Sequence, residues 1–231
     1  MENNIDYQSM IKAFARVTYK SLYVVNYESK TFEFVAKNPL FLCGLSSDEV
    51  QKMGYSFYFK KIKKEDLEIL FITNKICKEF FRNIPIDEKI HYSVSYDFHL
   101  QDEKGKYILV NQKITPLSFS NEGNVVLALC LVELSRNSTA GNIIITKDNS
   151  ENYWIYDLSL HQWKSYEKIK LNDREMEILR LYAQGLTIKE ISKRIYISES
   201  TIKFHRKNIF QKLKVETITE ALTYMMDLRL L

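Results

Sequence analysis

The sequence predicts an α+β chain of two domains, an antiparallel sheet with helices followed by an all-α bundle of four helices. Three observations carry that expectation. Residues 92 to 100, Tyr-Ser-Val-Ser-Tyr-Asp-Phe-His-Leu, alternate apolar and polar almost without interruption, the pattern of a half-buried strand. From Asn172 onward, cap, acidic partner and flanking apolar pair recur as helix-start signals. The charge is also unevenly placed: Tyr166 to Leu231 holds thirteen Lys/Arg against nine Asp/Glu, which is the whole net charge of +4, and the residues before it carry twenty of each sign. A neutral domain joined to a basic one is the electrostatic footprint of a nucleic-acid-binding module on a partner domain.

Composition sets the class. A chain of 231 residues with 45% hydrophobic content suffices for two small cores. It has no uncharged apolar run of about 18 residues or more, and Met1-Glu-Asn-Asn-Ile-Asp-Tyr lacks the basic and apolar regions of a secretion signal, so no membrane partner and a cytoplasmic location are expected. Cys43, Cys77 and Cys130 are scattered, without CxxC spacing or neighbouring histidines, and read as reduced core thiols with no metal site. With six glycines there is no phosphate-cradling loop, and no nucleophile, base and orienter stand in a catalytic pattern. No enzyme is expected.

Along the first domain, set at residues 1–135, Ser21 to Tyr27 and Thr31 to Lys37 form a strand pair joined by a tight turn. Helical patterns follow at Ser47 to Met53 and Lys64 to Phe81. After the strand at 92–100, Asp102-Glu-Lys-Gly-Lys turns into Tyr107 to Thr115, and Ser120-Asn-Glu-Gly-Asn turns into Val125 to Leu134. The order is strand pair, helices, three-strand meander. Residues 136–165 read as a linker: Ser135 to Glu151 is polar apart from Ile143 to Ile145, and Tyr153-Trp-Ile-Tyr-Asp with Gln162-Trp-Lys-Ser-Tyr suggests an aromatic hairpin. That hairpin could dock the following helices or form a satellite core of its own.

In the last domain, residues 166–231, Asn172 caps a helix with Glu175 as reciprocal partner and Leu171/Met176 as hydrophobic staple; Gly185 provides its left-handed stop. Thr187, Glu190 and Leu186/Ile191 repeat the pattern. A third start follows at Ser198 with Ile197/Ile202, although Thr201 replaces the acidic partner, and Thr217 with Glu220 opens a fourth helix. The short gap between the second and third helices demands a steep crossing, which is helix-turn-helix geometry without the glycine that many such turns carry. At about 100° per residue, Ile202, Ile209 and Leu213 form the core stripe of the third helix, flanked by Phe210 and His205. Ser200, Lys203, Phe204, Lys207 and Gln211 point the other way. Between Ser198 and Lys214 five basic residues face one acid, Glu199, a bias that favours phosphate contact over an ordinary solvated face. Phe204 between two lysines could rest on thymine methyl groups while Lys203 and Lys207 reach guanine edges or phosphates; otherwise it packs beneath a neighbouring domain or dimer partner. Arg206, nearer the core side, is expected to brace the domain or meet a phosphate from the flank.

The stretch from Leu171-Asn-Asp-Arg-Glu through Gly185-Leu-Thr-Ile-Lys-Glu-Ile-Ser and Ile197-Ser-Glu-Ser-Thr-Ile-Lys-Phe-His-Arg-Lys to Lys212-Leu-Lys-Val resembles the DNA-binding domains of the LuxR/NarL family. The resemblance implies that the helix beginning near Ser198 enters the major groove with Lys203, Phe204 and Lys207. It places Thr187, Ser198 and Thr201 at phosphates, with Lys189, Ser200, His205, Arg206 and Lys212 as further DNA contacts, and makes Leu222, Met225 and Met226 of the last helix a dimer contact. For Leu222 and Ile218, closure of the small core is an equal reading.

The order of elements in the first domain, together with Lys63-Lys-Glu-Asp-Leu before the long helix, resembles the PAS sensor fold. PAS domains hold haem, flavin, small metabolites or only protein partners, so the cofactor is left unknown. Cys43, in Leu-Cys-Gly, lacks the setting of a photoactive flavin thiol, and His91 and His99 read as solvated histidines rather than haem ligands. The chain is thus expected to be a bacterial transcription regulator acting on double-stranded DNA as a homodimer, with a small-molecule or protein partner at the sensor and a contact to RNA polymerase. The alternative is a signalling interaction protein whose helix-turn-helix serves for dimerisation or protein docking.

Overall fold

The computed structural model describes residues 7–227, with the side chains of Met226 and Asp227 outside the described set, and divides the chain into two compact units, Met1–Tyr166 and Glu167–Leu231. The first is built on a single antiparallel sheet. Its strands are β1 (Ser21–Asn26), β2 (Thr31–Val35), β3 (Tyr92–Gln101), β4 (Tyr107–Phe119), β5 (Val125–Leu134), β6 (Gly141–Lys147), β7 (Asn152–Asp157) and β8 (Gln162–Glu167), in the spatial order β2-β1-β5-β4-β3-β6-β7-β8. The first five strands, with helices inserted between β2 and β3, give the expected PAS-like arrangement. Helix α1 (Tyr7–Thr18) precedes the sheet; α2 (Pro39–Leu42), α3 (Ser47–Met53), α4 (Ser56–Lys61), α5 (Leu67–Phe81) and α6 (Ile86–Lys89) fill the insertion.

Alternation sorts the strands into faces. Tyr92, Val94, Tyr96, Phe98 and Leu100 of β3 are buried in the core with Tyr23 and Val25 of β1 and Val110 of β4. Phe41 of α2 stacks on Tyr23 at 4.1 Å and an interplanar angle of 6°, and Phe57 of α4 lies 4.8 Å from Phe41. The polar atoms beneath these rings satisfy one another: the Tyr23 hydroxyl meets that of Tyr58 and donates to Gln112 Oε1 at 2.8 Å, while Gln112 Nε2 donates to the Tyr96 hydroxyl at 3.0 Å. Burial pushes the thiols of Cys43, Cys77 and Cys130 up to about 12, which keeps them protonated and unreactive.

Residues 136–165 are not a linker. Strand β6 pairs with β3 (Tyr92↔Lys147, Val94↔Ile145), and β7 and β8 extend the sheet beyond it. Ile143 and Ile145, the lone apolar run in a polar stretch, are fully buried, and that burial brings the segment into the sheet. The two aromatic runs form adjacent strands, and Trp154 and Trp163 close on Phe80 of α5 at 5.4 and 5.2 Å. They do not form a satellite core: Trp154, Tyr156, Leu158 and Trp163 pack against the main core of the first unit. Asp97, on the opposite face of β3, is completely buried under the β5–β6 connection, where its two oxygens accept from Asn111 Nδ2 (2.8 Å), Asn137 Nδ2 (2.6 Å) and Asn142 Nδ2 (2.8 Å). His99 also departs from the solvated reading: its Nδ1 lies 2.7 Å from Asp66 Oδ2, which accepts from the His99 backbone N–H as well and ties the entry of α5 to β3.

Candidate nucleic-acid interface

The second unit consists of α7 (Asp173–Ala183), α8 (Ile188–Ile195), α9 (Glu199–Leu213) and α10 (Ile218–Asp227) around Ile178, Leu179, Ile191, Ile202, Ile209 and Met225, each fully buried. Its helices begin where local chemistry expects. Asn172 accepts from Glu175 N–H at 2.8 Å while the Glu175 carboxylate accepts from Asn172 N–H at 3.0 Å; Thr187 and Glu190 close the same box at α8. Ser198 caps α9 by accepting from Thr201 N–H at 3.1 Å, and its hydroxyl shares hydrogen bonds with those of Ser200 (2.7 Å) and Thr201 (2.8 Å). Gly185 takes φ +82°, as the left-handed stop of α7 requires.

The turn between α8 and α9 contains no glycine, and Tyr196 supplies the left-handed residue at φ 54°, ψ 43°, its side chain 93% exposed. A non-glycine residue there costs about 1–2 kcal/mol, partly offset by the extra backbone entropy glycine loses on folding, about 0.5–1 kcal/mol. Tyr196→Gly is therefore expected to stabilise the second unit by up to about 1 kcal/mol in thermal unfolding; a destabilised variant would show that the exposed ring contributes to the turn.

On α9, Ile202, Ile209 and Leu213 are buried, and Lys203, Phe204 and Lys207 are exposed on the other side, Phe204 at 61%. Thr187, Lys189, Ser198 and Ser200 are exposed at the entrances of α8 and α9, with Thr201 half-buried. His205 is half-buried with Nδ1 enclosed and without a hydrogen-bond partner among the described residues, its ring 5.8 Å from that of Phe204. The Arg206 guanidinium lies over the Phe210 ring at 5.9 Å and beside Tyr182, where it counteracts the rise that burial causes in that phenol.

Two of the expected residues make contacts inside the bundle. Lys212 Nζ is 2.7 Å from Oε2 of Glu175, whose side chain is 1% exposed, so this ammonium balances a buried carboxylate. Met225 is fully buried, so its side chain belongs to the bundle core rather than to a dimer surface; Leu222 packs against the same core, and the Met226 side chain lies outside the described residues. The Lys212 pairing gives an expected outcome. Lys212→Ala leaves the Glu175 carboxylate in place without its cation, and a stranded buried charge costs about 3–5 kcal/mol, reduced here because Lys212 is itself 40% exposed. A loss near 2 kcal/mol in unfolding free energy is expected; unchanged stability with weakened DNA affinity would return Lys212 to the phosphates.

Glu175 and Arg174 are the residues that sequence reading undervalued. Beyond its capping role, Glu175 holds α9 through Lys212, and Arg174 donates to the Ile195 carbonyl at the end of α8 (3.2 Å) and pairs with Glu177 (2.6 Å). The cap motif at Asn172 was the available signal for Glu175; its second partner lies 37 residues away.

A small bundle with two helices joined by a three-residue turn, the second presenting an exposed basic face, defines a helix-turn-helix module of the DNA-binding class. Residues 170–225 match the GerE family, described as bacterial regulatory proteins, luxR family, and the C-terminal unit is a LuxR-family helix-turn-helix domain. The transcriptional regulatory protein LnrK of Bacillus subtilis (strain 168) is 43% identical over 61 residues, 26% of this chain and 28% of that protein. The nitrate/nitrite response regulator protein NarL of Escherichia coli (strain K12) is 43% identical over 56 residues, 24% and 26% of the two chains. The chain thus spans little more than a quarter of the length of these relatives. Over nearly the whole chain (97%, and 88% of the other) it aligns with the VqmA–ligand–DNA complex of Vibrio cholerae at 13% identity and a TM-score of 0.36, a likeness too low to bear on function.

Proposed function

We propose that this chain is a bacterial DNA-binding transcription regulator in which the PAS-like unit controls the LuxR-family domain. The observation that carries the reading is the free face of α9: Lys203, Phe204 and Lys207 stand exposed opposite Ile202, Ile209 and Leu213. In a major groove the two lysines reach guanine O6/N7 or phosphates and the phenyl ring rests on thymine methyls, while Thr187, Lys189, Ser198, Ser200 and Thr201 meet phosphates at the two helix entrances. His205 and Arg206 act from the flank. The protein works in the cytoplasm as a symmetric dimer on dyad-related half-sites, with RNA polymerase as the partner that receives its output.

The test is a mobility shift of the full chain on its own upstream promoter. Binding is expected to be specific and to weaken at least tenfold between about 50 and 200 mM salt, as counterion release requires. Absence of binding to a bacterial promoter library at low salt overturns the reading. The exposure of Phe204 also suits a second reading, a protein-docking module: if Phe204→Ala weakens a protein partner and leaves DNA affinity untouched, that reading replaces the first.

A further inference from the structure

The first unit gathers cations at a place its overall neutrality does not foreshadow. Between α1, β2 and the start of α3 lies an open cleft of about 600 Å³, within the size range of small-molecule sites. Lys12, Arg16, Lys20 and Lys37 line it against a single carboxylate, Asp48. Lys20 pairs with Glu133 at 3.3 Å, whereas Lys12, Arg16 and Lys37 have no carboxylate partner among the described residues. Lys12 and Arg16 are one helical turn apart on α1 and turn toward the cleft together.

The wall between those cations is aromatic. Tyr19 and Phe34 line the cleft, and Tyr19, in a left-handed conformation at φ +47°, makes the corner between α1 and β1. Asn38 holds this corner through hydrogen bonds. Its Nδ2 donates to the Tyr19 carbonyl at 2.8 Å, and its Oδ1 accepts from Leu40 N–H at 3.1 Å and from the Ser21 hydroxyl. Ser21 in turn accepts from Phe41 N–H at 3.2 Å, which anchors the junction of α1 and β1 to the core. The cleft is therefore an open concavity with surplus positive charge, a bidentate-capable guanidinium and two aromatic rings in its lining.

We propose that this cleft binds a small polyanion carrying a planar ring, of which a nucleoside triphosphate is the type. The phosphates neutralise Lys12, Arg16 and Lys37, and the ring lies against Tyr19 or Phe34. The site lies wholly within the first unit and does not depend on the DNA-binding reading, so each can fail without the other.

The experiment is calorimetric titration of the full chain with ATP, pyrophosphate and adenosine at low salt. ATP and pyrophosphate are expected to bind, ATP more tightly, and adenosine is not. A Lys12→Ala/Arg16→Ala/Lys37→Ala variant is expected to lose at least tenfold in ATP affinity with unchanged thermal unfolding and unchanged promoter affinity, and Tyr19→Ala is expected to weaken ATP while sparing pyrophosphate. No binding of either anion to the wild-type chain overturns the proposal, as does equal ATP affinity in the triple variant. Equal affinity for ATP and pyrophosphate overturns the ring subsite. If the triple variant loses promoter affinity while the wild type ignores ATP, the cations belong to a DNA backbone contact and the small-molecule site is wrong.

Discussion

Asp97→Ala is expected to lower the stability of the first unit by about 3 kcal/mol, which for a domain of this size corresponds to a fall of about 6–12 °C in Tm. The carboxylate is completely buried on the outer side of β3 and accepts three amide hydrogen bonds, from Asn111 on β4, Asn137 in the β5–β6 connection and Asn142 at the start of β6. Hydrogen bonds to a charged group contribute about 1.5–3 kcal/mol each, and part of that is recovered when amides near the surface rehydrate in the variant. The loss should be local before it is global. Asp97 faces Gly141 in the β3–β6 register, so amide exchange is expected to accelerate in β6, from Ile143 to Thr146, more than in β1 or β5. A change below about 1 kcal/mol, or uniform acceleration across the sheet, would show that the burial of Ile143 and Ile145 alone holds β6 in place.

Lys203→Ala and Lys207→Ala are each expected to cost about 1–3 kcal/mol in affinity for the specific promoter if the side chain reads a base, and together about 2–6 kcal/mol, on the order of thirtyfold to ten-thousandfold. Both lysines are exposed on the face of α9 opposite its buried stripe, so neither substitution disturbs the bundle, and unfolding of the second unit should not change. Random DNA separates the two roles. A base reader loses specific affinity and keeps most of its non-specific binding, whereas a phosphate contact loses both equally and lowers the salt slope by about one. If neither variant changes affinity for any DNA, α9 is not the reading helix.

Much of the second unit was legible because its determinants are local. A helix start is set by a side-chain oxygen accepting from a backbone N–H three residues on, as at Asn172, Thr187 and Ser198, and the apolar pairs Leu171/Met176, Leu186/Ile191 and Ile197/Ile202 flank those starts. Once the starts are known, the 3.6-residue period leaves little choice about which side of α9 is buried. The meander of β3, β4 and β5 was legible for a similar reason, since alternation and glycine turns act between chain neighbours. Helix α1 carries the helical spacing too, with Met10, Phe14 and Val17 at i, i+4 and i+7, yet none of its residues is buried.

The sequence by itself thus determined where the C-terminal helices begin, which face of α9 is free and how the central strands alternate, because each depends on contacts within a few residues. Tertiary structure decided the rest. Only the folded units show that Ile143 and Ile145 make β6 a partner of β3, that three asparagines from separate segments converge on Asp97, and that Lys212 is held by Glu175. Each of these is a meeting of residues far apart in the chain, where burial and charge pairing operate through space and leave no periodic trace along the sequence.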